Sequence, residues 1–148
     1  MPSVVFTKEI EVRYSETDAM AVVYHANYLG WFDVARIHLL DQIGYPYTRC
    51  EDEGYFCPVV HAELDYRIPF RFGEKAIVHV AIKRLSAVKC TYAYKVYAPE
   101  DDPTTDKPRI SGSTVHCIVD STTFKPCSMK KQVPELYSKY QSILEEDF

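Results

Sequence analysis

The feature that most constrains the fold is the segment from Tyr28 to Ile43, which carries apolar side chains on nearly every face of a helix. Asn27 suits the N-cap of this helix, and Gly44 followed by Pro46 suits its end. A helix that is apolar nearly all round must be buried nearly all round. In a chain of 148 residues, one curved sheet that wraps around the helix would provide that burial.

Alternating apolar and polar residues predict that most of the remaining chain forms β-strands. The apolar members of the first strand share one parity, with Lys8 as the exception: Phe6, Ile10, Val12 and Tyr14. The later predicted strands cover residues 59–67, 76–85, 90–96 and 110–120. A terminal helix begins near Pro134 and carries one apolar stripe. The order of strand, long helix, four strands and short helix predicts one α+β domain over residues 1–148, built on an antiparallel sheet.

Composition and charge exclude several classes of protein. The chain is 47% apolar and 26% charged, which fits an ordinary globular protein rather than a disordered one. No apolar run reaches the ~18 residues that a membrane helix needs, and the N-terminus lacks a signal-peptide pattern. We therefore expect a cytoplasmic protein without a membrane partner. The net charge of −4 argues against general nucleic-acid binding.

The cysteines and histidines show no metal-site spacing. Five cysteines are present, an odd number, and none forms a Cys-x-x-Cys pair, so we expect packed, reduced thiols rather than disulfides or zinc ligands. The histidines lack the His-x-x-x-His spacing of a helical metal site. We predict neither a metal nor a cofactor.

One motif points to a specific chemistry. The segment from Asp18 to Tyr28 reads Asp-Ala-Met-Ala-Val-Val-Tyr-His-Ala-Asn-Tyr. It resembles the hotdog-fold acyl-CoA thioesterases of the 4-hydroxybenzoyl-CoA thioesterase and YbgC-like group, whose pattern is Asp, two variable residues, Gly, two apolar residues, Tyr-His, a small residue and Asn-Tyr. Ala21 replaces the family's glycine, and Asp33 stands near a helical glutamate of many members. Weaker matches follow at Phe32, Ala35, Arg36, Pro58-Val59-Val60, Tyr66–Pro69 and Gly73-Glu74.

The resemblance implies a hotdog fold, an antiparallel sheet around a long central helix, and hydrolysis of acyl-CoA thioesters. Asp18 would be the general base or the nucleophile, and the backbone N–H of Tyr24 would bind the oxyanion. His25 would orient the substrate, the water or Asp18, and Asn27 would cap the helix or touch substrate. The chemistry is sensible in itself, because a thiol of pKa near ~8.5 is a good leaving group. The free amides at a helix start can hold an oxyanion.

Other residues are assigned on general grounds. No glycine-rich phosphate loop occurs, so side chains must hold a CoA diphosphate, and Arg84 and Lys89 are the predicted pair. They lie in the stretch from His61 to Lys95, where seven basic residues oppose three acidic ones. Trp31 is expected first of all in the core, and it would also line the acyl pocket if this helix forms the pocket floor. The competing carboxylates are those of Glu63 and Asp33, with Asp33 second to Asp18.

Alternatives remain open in the sequence. The basic stretch would suit an acidic acyl carrier protein as well as CoA, so a thioesterase acting on acyl carrier protein is one alternative. A non-catalytic acyl-CoA binding module is another. Exposed sheet edges favour a homo-oligomer, a dimer or a tetramer, in which one subunit supplies Asp18 and the helix start and its neighbour supplies the rim of the site.

Overall fold

The chain folds as an antiparallel sheet with one long helix packed on it, as seen in a computed structural model that describes residues 4–148. The prediction that the N-terminus carries no signal peptide falls partly on residues 1–3, which lie outside the described range. The strands are β1 (Val5–Glu11), β2 (Tyr55–Phe56), β3 (Val59–Tyr66), β4 (Lys75–Leu85), β5 (Lys89–Tyr97), β6 (Ile110–Asp120) and β7 (Pro126–Cys127). The helices are α1 (Tyr28–Gln42), α2 (Tyr47–Asp52), α3 (Met129–Gln132) and α4 (Pro134–Ser142). The predicted α+β hotdog architecture is confirmed.

The sheet has two ends that matter for the site. Strands lie side by side in the order β1, β4, β5, β6, and β3 pairs with the other edge of β6, every pair being antiparallel. Glu11 pairs with Lys75, and Tyr66 pairs with Ile110; we call this the site end. Strand β4 runs from there to Leu85. We call this opposite end of the strands, where the β4–β5 connection lies, the far end.

Helix α1 lies against β1 and β4, and its bounds follow the prediction. The ring of Phe32 stacks on Tyr94 of β5, with centroids 4.1 Å apart and planes 2° from parallel. Gly112 of β6 makes room for this stack, because a Cβ there would lie 2.2 Å from the carbonyl oxygen of Glu63 and 3.0 Å from the Phe32 ring. The prediction that this helix is buried nearly all round does not hold for the single chain, since Val34 is 44% exposed.

Four short elements were not predicted from the sequence, and one side chain was predicted on the wrong face of a strand. Strands β2 and β7 have two residues each, too few for an alternation to be read. Helices α2 and α3 have six and four residues, which is less than two full turns. Tyr14 was expected on the inward face of the first strand. That strand ends at Glu11, and Tyr14 lies exposed in a 3-10 turn with its ring against Phe72.

The free edge of β3 is the most open part of the sheet. This strand pairs with β6 on one side, and no strand of residues 4–148 covers its other side. Val59, Val60 and Tyr66 on it are each about half exposed.

No helix within the described range is both long and apolar enough to cross a membrane. The histidines, cysteines and carboxylates of residues 4–148 form no group of three that could hold a metal ion.

Candidate active site

The motif loop leaves β1, reverses tightly and starts α1. Thr17 and Val23 form an isolated antiparallel bridge, and the N–H of Asp18 donates to the carbonyl of Val22 at 3.0 Å. The N–H of Ala21 donates back to the carbonyl of Asp18 at 2.9 Å. Asp18 therefore stands at the first corner of a closed hydrogen-bonded turn, and the two arms of that turn lead directly into the helix start.

Ala21 explains the glycine that the family pattern carries at this position. Its φ is +61°, in the left-handed region where a side chain costs roughly 1–2 kcal/mol and glycine costs little. Ala21 thus holds, at a steric cost, a conformation that glycine would adopt without strain.

Replacing Ala21 with glycine should therefore stabilise the fold, by about 0.5–1 kcal/mol once the greater freedom of the unfolded glycine is subtracted. The measurement is urea unfolding at equilibrium. Ala19→Gly in the same loop is the matched control, because Ala19 is not among the residues with positive φ and should gain nothing. Equal effects of the two substitutions would contradict the strain at Ala21.

Glu16 organises the loop from inside. It is 8% exposed; its Oε1 accepts the backbone N–H of Arg13 at 2.9 Å and its Oε2 accepts the indole N–H of Trp31 at 2.8 Å. Its carbonyl oxygen accepts the N–H of Tyr24 and the side-chain amide of Asn27, both at 2.8 Å. Sequence reasoning missed Glu16, because a glutamate in a polar loop gives no sign that it is buried.

These bonds correct two of the predicted roles. The N–H of Tyr24, predicted to bind the oxyanion, is already used by the carbonyl of Glu16. Asn27 occupies the N-cap position, but its side chain turns back to Glu16 and makes no capping bond. The next two amides, of His25 and Ala26, have no acceptor anywhere in residues 4–148. The free donors of the helix start are thus one and two residues later than predicted.

The carboxylate of Asp18 is fixed through one oxygen. Its Oδ1 accepts the N–H of Met20 at 2.8 Å, which is the geometry of an Asx turn. No described residue bonds to Oδ2, and the residue is partly exposed. One oxygen therefore holds the side chain in place, and the other is available to a water or a substrate.

An aromatic wall stands beside the free amides. The ring of His25 lies 4.4 Å from that of Tyr24 and 6.3 Å from that of Tyr66. The hydroxyl of Tyr66 donates to the carbonyl of His25 at 3.1 Å, which joins the site end of β3 to the helix start. The ring of Tyr28 lies 5.9 Å from that of Tyr66. Tyr66 was noted in the sequence only as a family match, and strand pairing is what brings it here.

The predicted substrate residues are not all gathered in one chain. Trp31 is 2% exposed and packs edge-on to Tyr28 and Phe70 at 4.9 and 5.7 Å, so it supports the site from below and presents no open surface. Arg84 and Lys89 are exposed at the far end. Arg84 lies nine residues further along β4 than Lys75, which is about 30 Å of strand. Within one chain these two cations lie far from Asp18.

The competing carboxylates have other partners. Glu63 on β3 is exposed and lies 2.9 Å from the ring nitrogen Nε2 of His61. Asp33 is exposed on α1 and lies 3.7 Å from the Nε of Arg36. Neither belongs to the turn that carries Asp18 and leads into the helix start.

Comparison with known proteins identifies the family of the chain. Residues 12–137 match the family model of the Thioesterase-like superfamily. The putative acyl-CoA thioesterase YneP of Bacillus subtilis is 39% identical over 134 residues, which covers 90% of this chain and 94% of that protein. A 1,4-dihydroxy-2-naphthoyl-CoA hydrolase of Synechococcus is 30% identical over 128 residues, 82% of each chain.

Solved structures give the same result for the fold. The DHNA-CoA thioesterase from Staphylococcus aureus superposes with a TM-score of 0.87 at 29% identity, covering 94% of this chain and 90% of that one. A second Staphylococcus aureus protein, SAV2348, solved in complex with CoA, superposes with a TM-score of 0.81 at 12% identity and so supports the fold alone. By family model, relatives and structure together, this chain belongs to the thioesterase-like superfamily of hotdog proteins.

Proposed function

We propose that this protein hydrolyses acyl-CoA thioesters, releasing a carboxylic acid and free CoA. The observation that carries the proposal is one turn, which holds the Asp18 carboxylate through one oxygen only. The same turn leads into two amides that have no acceptor among residues 4–148. Asp18 offers Oδ2, and His25 and Ala26 offer their N–H groups. The names of the relatives, an acyl-CoA thioesterase and a naphthoyl-CoA hydrolase, support the substrate class.

The chemistry needs only these groups. The amides of His25 and Ala26 would donate to the thioester oxygen as it becomes an oxyanion, at the positive end of the helix dipole. Asp18 would remove a proton from an attacking water, or attack the carbonyl itself to form an anhydride that water then opens. The CoA thiolate leaves without a strong general acid, because its conjugate thiol has a pKa near ~8.5. Tyr66 would hold the helix start through the carbonyl of His25.

A second copy of the chain would complete the site. If two copies pair antiparallel along their free β3 edges, the site end of one lies beside the far end of the other. Counting inward from that edge, Lys89 lies on the second strand beyond β3 and Arg84 on the third. At ~4.8 Å per strand these positions are about 10 and 14 Å from the edge. They would then reach the CoA diphosphate at the rim, which the same residues of the first copy cannot do.

A substrate panel tests the proposal. We expect turnover of aliphatic or aromatic acyl-CoAs, followed as release of free thiol, and slower turnover of the same acyl groups on an acyl carrier protein. The reverse order would favour the carrier-protein thioesterase. Tight binding of acyl-CoA without any turnover would make the protein a binding module and overturn the proposal.

The Lys89→Glu variant tests the CoA contact separately from the chemistry. Its KM for acyl-CoA should rise about tenfold, which corresponds to loss of roughly 1.4 kcal/mol of contact. Its kcat/KM for the matching N-acetylcysteamine thioester, which has no diphosphate, should stay unchanged. A similar loss on both substrates would mean that Lys89 acts through the fold rather than through CoA.

A further inference from the structure

Two cysteines lie in contact away from the candidate active site. The Sγ of Cys50 on α2 is 3.5 Å from the Sγ of Cys57, which follows β2. A disulfide requires about 2.05 Å between the sulfurs, so a movement of about 1.5 Å would suffice. Cys50 is buried and Cys57 is partly exposed, so a small oxidant meets Cys57 first.

A buried cation next to this pair has only a long, solvent-exposed ion pair to balance it. Arg36, in the middle of α1, is 8% exposed, and its Nε has no hydrogen-bond acceptor among the described residues. Its nearest carboxylate oxygen, on Asp33, is 3.7 Å away, and its guanidinium lies over the ring of Tyr47 at 5.3 Å. A buried charge without a hydrogen-bonded partner is costly, so a second negative charge nearby would be favoured.

Cys57 can supply that charge as a thiolate. The hydrogen bond from the Cys50 thiol and the positive charge of Arg36 lower the pKa of Cys57, against the opposing effect of burial. The same contact raises the pKa of Cys50, which therefore stays a neutral donor. Reactive cysteines are those with partly exposed, stabilised thiolates, and Cys57 meets both conditions.

We propose that Cys50 and Cys57 form an oxidisable dithiol, with Cys57 as the reacting sulfur and Cys50 as the resolving one. With hydrogen peroxide, the Cys57 thiolate attacks one peroxide oxygen, the O–O bond breaks, and after protonation a sulfenic acid and water are formed. The sulfur of Cys50 then displaces hydroxide from the sulfenic acid, its proton completes a second water, and the disulfide closes. Two thiols are oxidised and one peroxide is reduced to two waters.

The remaining cysteines lack this arrangement. Cys90 is fully buried and its burial raises its pKa, while Cys117 is also buried. Cys127 is partly exposed, but its thiol donates to the carbonyl of Lys125 and has no neighbouring thiol in the part of the chain described. Oxidation at low peroxide should therefore be confined to one pair.

The test is peroxide treatment of the native protein, followed by thiol counting and peptide mass spectrometry. We expect the five thiols to fall to three, with Cys50 and Cys57 linked in one peptide pair and restored by dithiothreitol. In Cys50→Ser, Cys57 should instead stop at a sulfenic acid that dimedone traps. Cys127→Ser is the matched control and should oxidise as the wild type does.

Two outcomes would overturn the proposal. One is five titratable thiols after treatment of the folded protein, and the other is a product linked through Cys127 while the Cys50–Cys57 pair stays reduced. Arg36→Gln provides an independent check, because loss of the cation should slow dimedone labelling of Cys57 in the Cys50→Ser background by about tenfold, as expected for a shift of one pKa unit. Unchanged labelling would contradict the role of Arg36. None of these measurements depends on thioesterase activity.

Discussion

Replacing Asp18 with asparagine should lower kcat/KM for acyl-CoA by about 10²–10⁴-fold, the range that loss of a positioned base removes. The turn itself should survive. Asparagine keeps the Oδ1 atom that accepts the N–H of Met20, so only the negative charge and the basic Oδ2 are lost. Circular dichroism and the unfolding midpoint should match those of the wild type, which separates a chemical defect from a folding defect.

Asp33→Asn is the matched control for this prediction. Asp33 is exposed on α1, outside the turn, and its loss should change the rate less than twofold. A near-normal rate in Asp18→Asn would remove Asp18 from the mechanism, and a large loss in Asp33→Asn would place the carboxylate on the helix instead. Single turnover in ¹⁸O-water then tests for a nucleophile, because label in the carboxylate of Asp18 requires an anhydride that water opens at the Asp18 carbonyl.

The sequence predicted the large elements for a simple physical reason. Helix α1 and strands β3 to β6 are each long enough to show several periods of their pattern, and burial enforces that pattern. Tyr14 shows where this reasoning ends, because parity continues in the sequence after the strand has stopped at Glu11. Strands β2 and β7 are set by pairing with β6, and pairing partners cannot be read from two residues.

The site was predictable only as far as side chains determine it. Asp18 came from the family motif, and the structure places it in a closed turn. The proposed oxyanion donors are backbone groups, and whether such a group is free depends on which carbonyl lies opposite. The carbonyl of Glu16 takes the N–H of Tyr24 and leaves that of His25, a fact without any signal in residue identity. The proposed contact of Arg84 and Lys89 with CoA depends on strand direction and on a second copy of the chain, and neither can be read from residue identity.

Glu16→Ala should be the most damaging change in the loop. It removes both acceptors from a buried position, so the indole N–H of Trp31 and the backbone N–H of Arg13 lose their partners. Two unsatisfied groups predict a loss of about 2–4 kcal/mol in the free energy of unfolding. Activity should fall as well, because the side chain that anchors the loop to α1 through Trp31 is gone. Glu9→Ala is the control, an exposed strand carboxylate 4.0 Å from Lys75 that should cost less than about 0.5 kcal/mol.

Trp31→Phe separates the hydrogen bond from the rest of the Glu16 effect. Phenylalanine removes the indole N–H donor, so Glu16→Ala in that background leaves only the backbone N–H of Arg13 without its partner. The double variant should therefore lose about 1–2 kcal/mol less than the sum of the two single variants. Unfolding is followed by circular dichroism, because Trp31 is the only tryptophan and the substitution removes the fluorescence probe. Strict additivity would mean that the bond between Glu16 and Trp31 contributes nothing, and the loop would then have to be held by the other hydrogen bonds of Glu16.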